Sequence, residues 1–372
     1  MHITHLRLVN FRNHRRTELT PAPGISVFVG ANAQGKTSLL EAVQVVSTGR
    51  SRRAQREVEM VCFGEDWARV HVRTQRADRT EELDVAFRQD VPVPEGRLWK
   101  ELRVNGVPVQ RAEALGHLLC VAATPTDGDT LAVSAPYRRH TLDSLLVQMR
   151  PAYYYTVQRY ARVVLQRNRL LRERRGEALD PWDEQVAGLG AAITVRRREL
   201  VARLAMAAGE FYRELSEGRE TLSVTYVPML AGSEETEIAA AGREALRKSR
   251  AGEMARGMTL VGPHRDDVRL EVDGRLLRVF GSRGQQMAAM LALRLAERVV
   301  LREATGEEPV LLLDDVLMAL DPARQAELLA AIRGAQAFIT LTVLVALPGL
   351  SADTAVFQVV NGSVAQDHAY RA

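Results

Sequence analysis

The chain has 372 residues, 46% hydrophobic and 26% charged, which is enough for two or three domains around a sizeable core. Its two cysteines, Cys62 and Cys120, cannot build a disulfide framework and lack metal-type spacing. The start has no apolar signal core and no long apolar run follows, so a cytoplasmic protein with no membrane partner is expected. A formal net charge of +4 permits nucleic acid without demanding it, and genomic base composition explains the arginine excess as well as a binding role does.

Residues 1–145 read as β-rich with one helix. Leu6, Leu8 and Phe11 open a first strand. Ile25-Ser26-Val27-Phe28-Val29 is a short β-rich run ending at Gly30, and Ser38-Leu39-Leu40-Glu41-Ala42-Val43 reads as the first turns of a helix. Between them stands Gly30-Ala31-Asn32-Ala33-Gln34-Gly35-Lys36-Thr37, a complete G-x-x-x-x-G-K-T run. Strand, glycine loop and helix put backbone N–H groups and a helix N-terminus against an anion. Lys36 is one of only three lysines, with Lys100 and Lys248, in a chain that otherwise uses arginine. The role requires a compact charge on a flexible stem that reaches the β/γ-phosphates, and arginine's planar fork does not fit it. Thr37 offers a hydroxyl to Mg²⁺.

Further on, Val70-His71-Val72-Arg73 and Leu83-Asp84-Val85-Ala86-Phe87 alternate as strands do. Leu102-Arg103-Val104, the turn pair Asn105-Gly106 and Val107-Pro108-Val109 spell a hairpin. Val91–Gly96 carries two prolines and reads as a loop. From about residue 146 the texture becomes helical, over 152–175 and 183–215, with Asp180-Pro181-Trp182 as a stop and restart. Twelve arginines lie between Thr156 and Leu215; they form either a solvated helix face or a contact for DNA or a partner. Tyr153-Tyr154-Tyr155 reads as packing rather than as a base-stacking platform. After about residue 250, Val268–Val272, Asp273-Gly274 and Leu276–Phe280 suggest a second hairpin, followed by a helix from Gln285 to about Ala304.

Val310-Leu311-Leu312-Leu313 is a continuous apolar run, as a buried parallel strand requires. It ends in Asp314-Asp315, the Walker B pattern, whose acid binds Mg²⁺ or its waters. Phe280-Gly281-Ser282-Arg283-Gly284-Gln285-Gln286 sets serine, glycines and glutamines at a helix start, either a second anion nest or an ordinary cap. One ATP needs one phosphate cradle, so a second suggests service to the ATP of another subunit.

The P-loop, the S-x-G-Q-Q run, Leu311-Leu312-Leu313-Asp314-Asp315 and Ala319-Leu320-Asp321, in that order, resemble an ABC-type ATPase head of the SMC-like branch. Leu8-Val9-Asn10-Phe11-Arg12-Asn13, Thr48-Gly49-Arg50-Ser51-Arg52, Pro136-Tyr137-Arg138-Arg139, Gln166-Arg167-Asn168 and Gly262-Pro263-His264-Arg265-Asp266-Asp267 narrow the resemblance to the RecF family, over essentially the whole chain. The resemblance implies an α/β, ABC-type P-loop ATPase head with mixed β-sheets and an inserted helical domain: head residues 1–145, insertion 146–250 as short antiparallel helices, head again 251–372. It implies that Gly30 to Thr37 hold the phosphates of ATP, that Thr37 and Asp314 serve Mg²⁺, and that Arg12 and Asn13 lie near the nucleotide. Asp315 and Lys36 would be catalytic, Ser282, Gly284 and Gln285 would face the γ-phosphate in trans, and Asp321 would belong to the D-loop. Most ABC ATPases carry Glu at the position of Asp315, so slow hydrolysis is expected. No histidine stands at the switch position; Thr340 or Thr342 is offered instead. The function implied is an ATP-dependent DNA-binding homodimer of recombinational repair and replication, aiding recombinase loading at single-strand gaps with RecR-type and RecO-type mediators. A structural SMC head and a transporter ATPase subunit are the alternatives.

Overall fold

A computed structural model describes residues 1–89, 98–343 and 354–367; the Val91–Gly96 loop reading falls outside them. Strands β1 (His2–Phe11) and β2 (His14–Leu19) form a hairpin, and β3 (Ile25–Val29) leads through the glycine loop into helix α1 (Lys36–Thr48). β1 also pairs with β4 (Trp67–Gln75), followed by β5 (Thr80–Arg88), β6 (Trp99–Val104) and β7 (Val107–Val109), giving a six-stranded antiparallel sheet in the order β2-β1-β4-β5-β6-β7. The β6–β7 hairpin turns at Asn105-Gly106 with both residues at positive φ, the geometry that pair favours. In β4 the alternate residues Ala68, Val70, Val72 and Thr74 are buried, as the period predicts.

The first 145 residues contain more helix than the sequence suggests: α2 (Arg111–Ala114), α3 (Pro125–Val133) and α4 (Ala135–Met149) flank and follow β8 (Cys120–Ala123). Pro125 and Pro136 sit in the first turns of α3 and α4, where a missing N–H costs nothing, and Ser134 caps α4 by accepting from the Tyr137 N–H at 3.3 Å. Those prolines are helix starts that resemble loop punctuation.

Helices α5 (Tyr153–Arg172) and α6 (Asp180–Leu215) follow, so the restart at Asp180-Pro181 is the first turn of α6 rather than a break before it. Strand β9 (Leu222–Val227) then interrupts the helical texture before α7 (Glu235–Arg256). β9 lies beside β10 (Asp267–Val272), whose other neighbour is β11 (Arg275–Leu276). The second arm of that hairpin is only two residues long. At Leu277 the chain turns into α8 (Leu277–Phe280), which buries Leu277 and leaves Val279 and Phe280 exposed. Helix α9 (Arg283–Thr305) packs along α6 and contributes a run of buried residues from Ala288 to Leu301.

The remaining elements are β12 (Val310–Asp314), α10 (Pro322–Ala331), β13 (Ala337–Leu341), β14 (Ala355–Val360) and β15 (Ser363–Gln366). They complete a second sheet in the order β15-β14-β3-β13-β12-β8, parallel except for β15. Every residue of β12 and β13 is buried, as continuous apolar runs with both faces covered demand. α1 shares one core with both six-stranded sheets: Leu39 and Val43 join Val70 and Val85 of the first and Leu312 and Phe338 of the second. The glycine loop therefore opens at the carboxyl edge of the parallel sheet, between β3 and the end of β12.

The helical arginines are largely committed within the fold. Arg167 is fully buried and donates to Asp183 on α6 at 2.6 Å, to Glu253 on α7 at 2.6 Å and to Thr259 at 3.0 Å. Arg197 donates twice to Asp143 on α4 and once to the Pro263 carbonyl. Arg196 pairs with Glu199, and Arg198 donates to the Ser233 carbonyl. The Arg196–Arg198 run is thus two surface contacts around a buried structural ion pair. Tyr153 is buried and donates to Asp143, in keeping with a packing role.

Candidate nucleotide-binding site

The glycine loop rests on conformations few residues tolerate. Gly35 stands at φ +116°, and a Cβ there would lie 2.8 Å from Asn13 Nδ2 and 2.9 Å from His14 Nε2. A Cβ on Gly30 would lie 2.3 Å from the Val359 carbonyl oxygen of β14. The loop encloses Lys36, whose Nζ donates to the carbonyls of Gly30 at 2.6 Å and Ala31 at 3.0 Å. The helix it begins runs on through buried Leu39, Leu40 and Val43, so the N-terminus of α1 is anchored from below.

Across the loop stands the end of β12. Asp314 Oδ1 accepts from Thr37 Oγ1 at 3.0 Å and from Thr340 Oγ1 at 2.7 Å. Thr340 in turn accepts from the Asp315 backbone N–H at 2.8 Å. Its hydroxyl proton is therefore directed at Asp314, which fixes that carboxylate toward Thr37. Thr342 lies beyond the end of β13, and Thr340 is the threonine brought to the acids. Asp315 has φ +52°, a left-handed conformation that aspartate accepts more readily than most residues. Its Oδ1 is buried without a hydrogen-bond partner. Burial pushes its carboxyl above the usual range; Lys36 opposes that shift, Asp314 adds to it and the Thr340 bond opposes it. A carboxylate with one unpartnered oxygen and raised basicity at a cavity wall has the properties of a proton acceptor.

The open cavity beside these groups measures about 1430 Å³ and is lined by Arg12, Asn13, Asn32, Lys36, Thr37 and Asp315 among others. Arg12 is clamped rather than free. It donates to both oxygens of buried Glu41 on α1, at 2.9 and 2.7 Å, and to the Glu59 carbonyl at 2.7 Å. The Ser51 hydroxyl also donates to Glu41.

Several supports were not read from the sequence. His14 is fully buried under the loop. Its Nε2 lies 3.0 Å from the Gly35 carbonyl, and its Nδ1 lies 2.8 Å from the Gly362 carbonyl. Burial pulls the imidazole below its ordinary range while those two carbonyls pull it back up. A neutral ring has one N–H for two carbonyls, and Thr17 Oγ1, 2.8 Å from the Gly362 oxygen, supplies the second donor. The β14–β15 turn closes onto the loop as well: Asn361 N–H donates to Gln34 Oε1 at 2.7 Å and Gly362 N–H to the Gln34 carbonyl at 2.8 Å. Asn361-Gly362 between short apolar runs is the signal that would have found this hairpin.

The serine–glycine–glutamine segment is not part of this cavity. Ser282 caps α9, its Oγ accepting from Gln285 N–H at 3.2 Å while Gln285 Oε1 accepts from Ser282 N–H at 2.8 Å. Gln285 Nε2 also donates to Glu220 at 2.8 Å, and Gly284 follows Ser282 in the first turn. Asp321 caps α10 by accepting from the Arg324 N–H at 2.9 Å. Both side chains cap their helices within one chain, and neither lines the glycine loop cavity.

A glycine loop at the carboxyl edge of a mostly parallel sheet, facing paired acids, with a separate antiparallel sheet beside it, defines an ABC-type P-loop ATPase head. The family model for the RecF/RecN/SMC N terminal domain matches residues 2–346. The chain is 34% identical to the DNA replication and repair protein RecF of Alkaliphilus oremlandii, covering 98% of this chain and 100% of that one. It is 39% identical to the RecF of Gloeobacter violaceus over 92% of each. The chain belongs to the RecF family. Among solved structures it resembles the recombination mediator protein RecF-ATP in RecFOR pathway, with a TM-score of 0.88, 31% identity and coverage of 98% and 99% of the two chains. The Smc head domain from Pyrococcus furiosus, at a TM-score of 0.57 and 15% identity over 98% and 96%, shares the fold. Among the described residues no helix is long and apolar enough to cross a membrane.

Proposed function

We propose that the chain binds ATP with Mg²⁺ at the glycine loop and hydrolyses it slowly, in the service of DNA repair and replication. The observation that carries this reading is the fixed set Thr37–Asp314–Thr340 with Asp315 beside it. A hydroxyl and a carboxylate oxygen 3.0 Å apart are hard donors suited to Mg²⁺. Among the described residues no cluster of three or more acidic, histidine or cysteine side chains could hold a metal alone. That suits an ion that takes its remaining ligands from phosphates and water. Mg²⁺ would neutralise charge on the β/γ-phosphates. Lys36 would bind the same phosphates, Gly30 to Thr37 would cradle them, Thr340 would hold Asp314 in place as the switch residue, and Asp315 would orient or deprotonate water.

The reading extends to two subunits. Ser282, Gly284 and Gln285 would present the α9 N-terminus to ATP held by a second copy, and Asp321 would lie at the same contact. The exposed Val279, Phe280 and Met318 beside those caps support an interface there. ATP would then close a DNA-binding homodimer and hydrolysis would open it. The RecFOR setting of the structural relative supports RecR-type and RecO-type mediators as partners; recombinase loading at single-strand gaps, in the cytoplasm, completes the reading. The division into head residues 1–145 and 251–372 around a helical 146–250 is retained as a proposal, with β9 inside the middle part.

Lys36→Met tests the site. Removing the phosphate-facing charge should weaken ATP binding at least tenfold, about 1.4 kcal/mol, in a protein with the parent's thermal unfolding. Near-parental affinity in the folded variant would refute the assignment.

A further inference from the structure

A second cavity of about 420 Å³ opens at the far end of α1, lined by Gln44 and Thr48 of that helix, by Arg50 and Arg52 after it, and by Arg111, His140 and Arg294 from elsewhere. Its charge is lopsided. Of the acids on its wall, Glu297 is bound by Arg294 at 2.7 Å and Glu57 by Lys100. Arg111 donates to the Thr48 carbonyl at 2.7 and 3.1 Å and has no carboxylate within salt-bridge distance among the described residues. The Arg50 side chain has no hydrogen bond or ion pair among them either. Arg294 is 6% exposed, and its Nε has no partner among them.

Burial pulls Arg111 below its ordinary range and Arg50 pushes the same way, against Tyr154 and Glu57; burial, Arg52, Arg50 and Arg111 lower His140 against Asp143. Arg52 and Arg294 are paired to Asp127, and Arg294 also to Glu297, so it is Arg50 and Arg111 that stand at this half-buried cleft without a carboxylate partner among the described residues. Such a set is costly unless an anion completes it. Guanidinium forks around a concave wall match the planar, multi-acceptor face of a phosphate. The volume falls in the range that holds a mononucleotide.

We infer that this cavity is a second phosphate-binding site, distinct from the glycine loop, recognising a phosphate-bearing ligand through Arg50 and Arg111, with the acid-paired Arg52 and Arg294 on the same wall. Two sources carry that chemistry, a free mononucleotide or inorganic phosphate and a phosphate of a nucleic acid. The site is wired to the nucleotide cavity by one loop. Ser51 lines the second cavity and donates to Glu41, which clamps Arg12, while Arg53 lines the first and lies 3.5 Å from the same Glu41. A phosphate seated on Arg50 and Arg52 would therefore load the segment that holds Arg12.

The test uses the full chain saturated with a slowly hydrolysed ATP analogue, so that the glycine loop is occupied. Binding of inorganic phosphate, AMP and a short 5′-phosphorylated oligonucleotide is measured by calorimetry against Arg50→Gln and Arg111→Gln. His140 ring resonances report the cavity, and affinity for the ATP analogue controls for a general defect. Arg50, whose side chain is unpartnered, can be replaced without disturbing packing; Arg111 caps α1, so its variant is read only if its unfolding matches the parent's. The expected result is that phosphate or AMP binds, shifts His140 and loses about tenfold in affinity in Arg50→Gln, the scale of one charge-assisted hydrogen bond. The same Arg50-dependent loss seen only with the oligonucleotide assigns the site to nucleic-acid phosphate. No binding by any probe, or binding that is undiminished in Arg50→Gln and leaves His140 unmoved, overturns the proposal.

Discussion

At the scale of single residues the two acids sit in different environments. Asp314 is tethered by two hydroxyls toward Thr37, whereas Asp315 leaves an unpartnered oxygen at the cavity wall. The carboxyl of Asp315 is raised, chiefly by burial, so a falling pH protonates it earlier than an ordinary aspartate. If it accepts the proton from water, hydrolysis is full well above that raised pKa and is lost as pH falls through it. Single-turnover rates against pH should therefore show an acidic limb displaced upward from the usual aspartate range, and a limb at or below that range would separate Asp315 from the chemistry. Asp315→Asn should keep ATP binding and lower single-turnover hydrolysis by about 10²–10⁴-fold. A loss of less than about threefold is too small for a positioned proton acceptor. The sequence could not decide between Thr340 and Thr342 because residues two apart on a strand share a face. The parallel register pairs Asp314 with Thr340, and β13 ends at Leu341, so Thr340 is the threonine beside the acids.

At the scale of elements, what was legible is what carries its own period or punctuation. The β6–β7 hairpin, the buried β12 strand and the strand–loop–helix around Lys36 follow from Asn-Gly, from an unbroken apolar run and from glycine spacing. What was not legible depends on partners distant in sequence. β9 is six residues long and becomes a strand because β10 pairs with its whole length, from Leu222 opposite Val272 to Val227 opposite Asp267. The second arm of the β10 hairpin has strand-like alternation, yet it coils into α8 once Leu277 is buried. The Gln166-Arg167-Asn168 run gains a physical meaning in the same way. Arg167 joins α5 to α6 and α7, while Asn168 Oδ1 accepts from the backbone and hydroxyl of Thr259 at 2.7 and 2.6 Å. Arg167→Met would leave buried Glu253 without a cation and Asp183 with Arg250 alone, at an expected loss of about 3–5 kcal/mol of stability. Denaturant unfolding measures it directly; a loss under about 1 kcal/mol would mean that Arg167 is not the clamp of the helical region.

At the scale of the whole molecule the N-termini of α1 and α9 lie in different places. The α1 N-terminus opens into the nucleotide cavity, and the α9 N-terminus, capped by Ser282 and Gln285, does not line it. On the proposed reading a single chain offers half of two sites, which a second chain turned to face it would complete. Ser282→Arg should leave ATP binding by the separate chain unchanged, because the glycine loop is untouched. It should block ATP-dependent dimerisation, because a long cation would fill the space where the γ-phosphate of the partner must seat. The substitution also removes a helix cap, worth about 1 kcal/mol, so Ser282→Ala serves as the control that loses the cap without adding bulk. Mixing gives the sharper test. A Lys36→Met chain still presents Ser282, and a Ser282→Arg chain still presents Lys36, so a mixed dimer contains one composite site with both halves sound. Sedimentation with a slowly hydrolysed analogue reports the dimer, and hydrolysis by the mixture reports the restored site. Recovery of part of the hydrolysis that each chain lacks alone is the expected result. If Ser282→Arg dimerises and hydrolyses ATP as the parent does, the α9 N-terminus is a cap and nothing more, and hydrolysis must be completed within one chain.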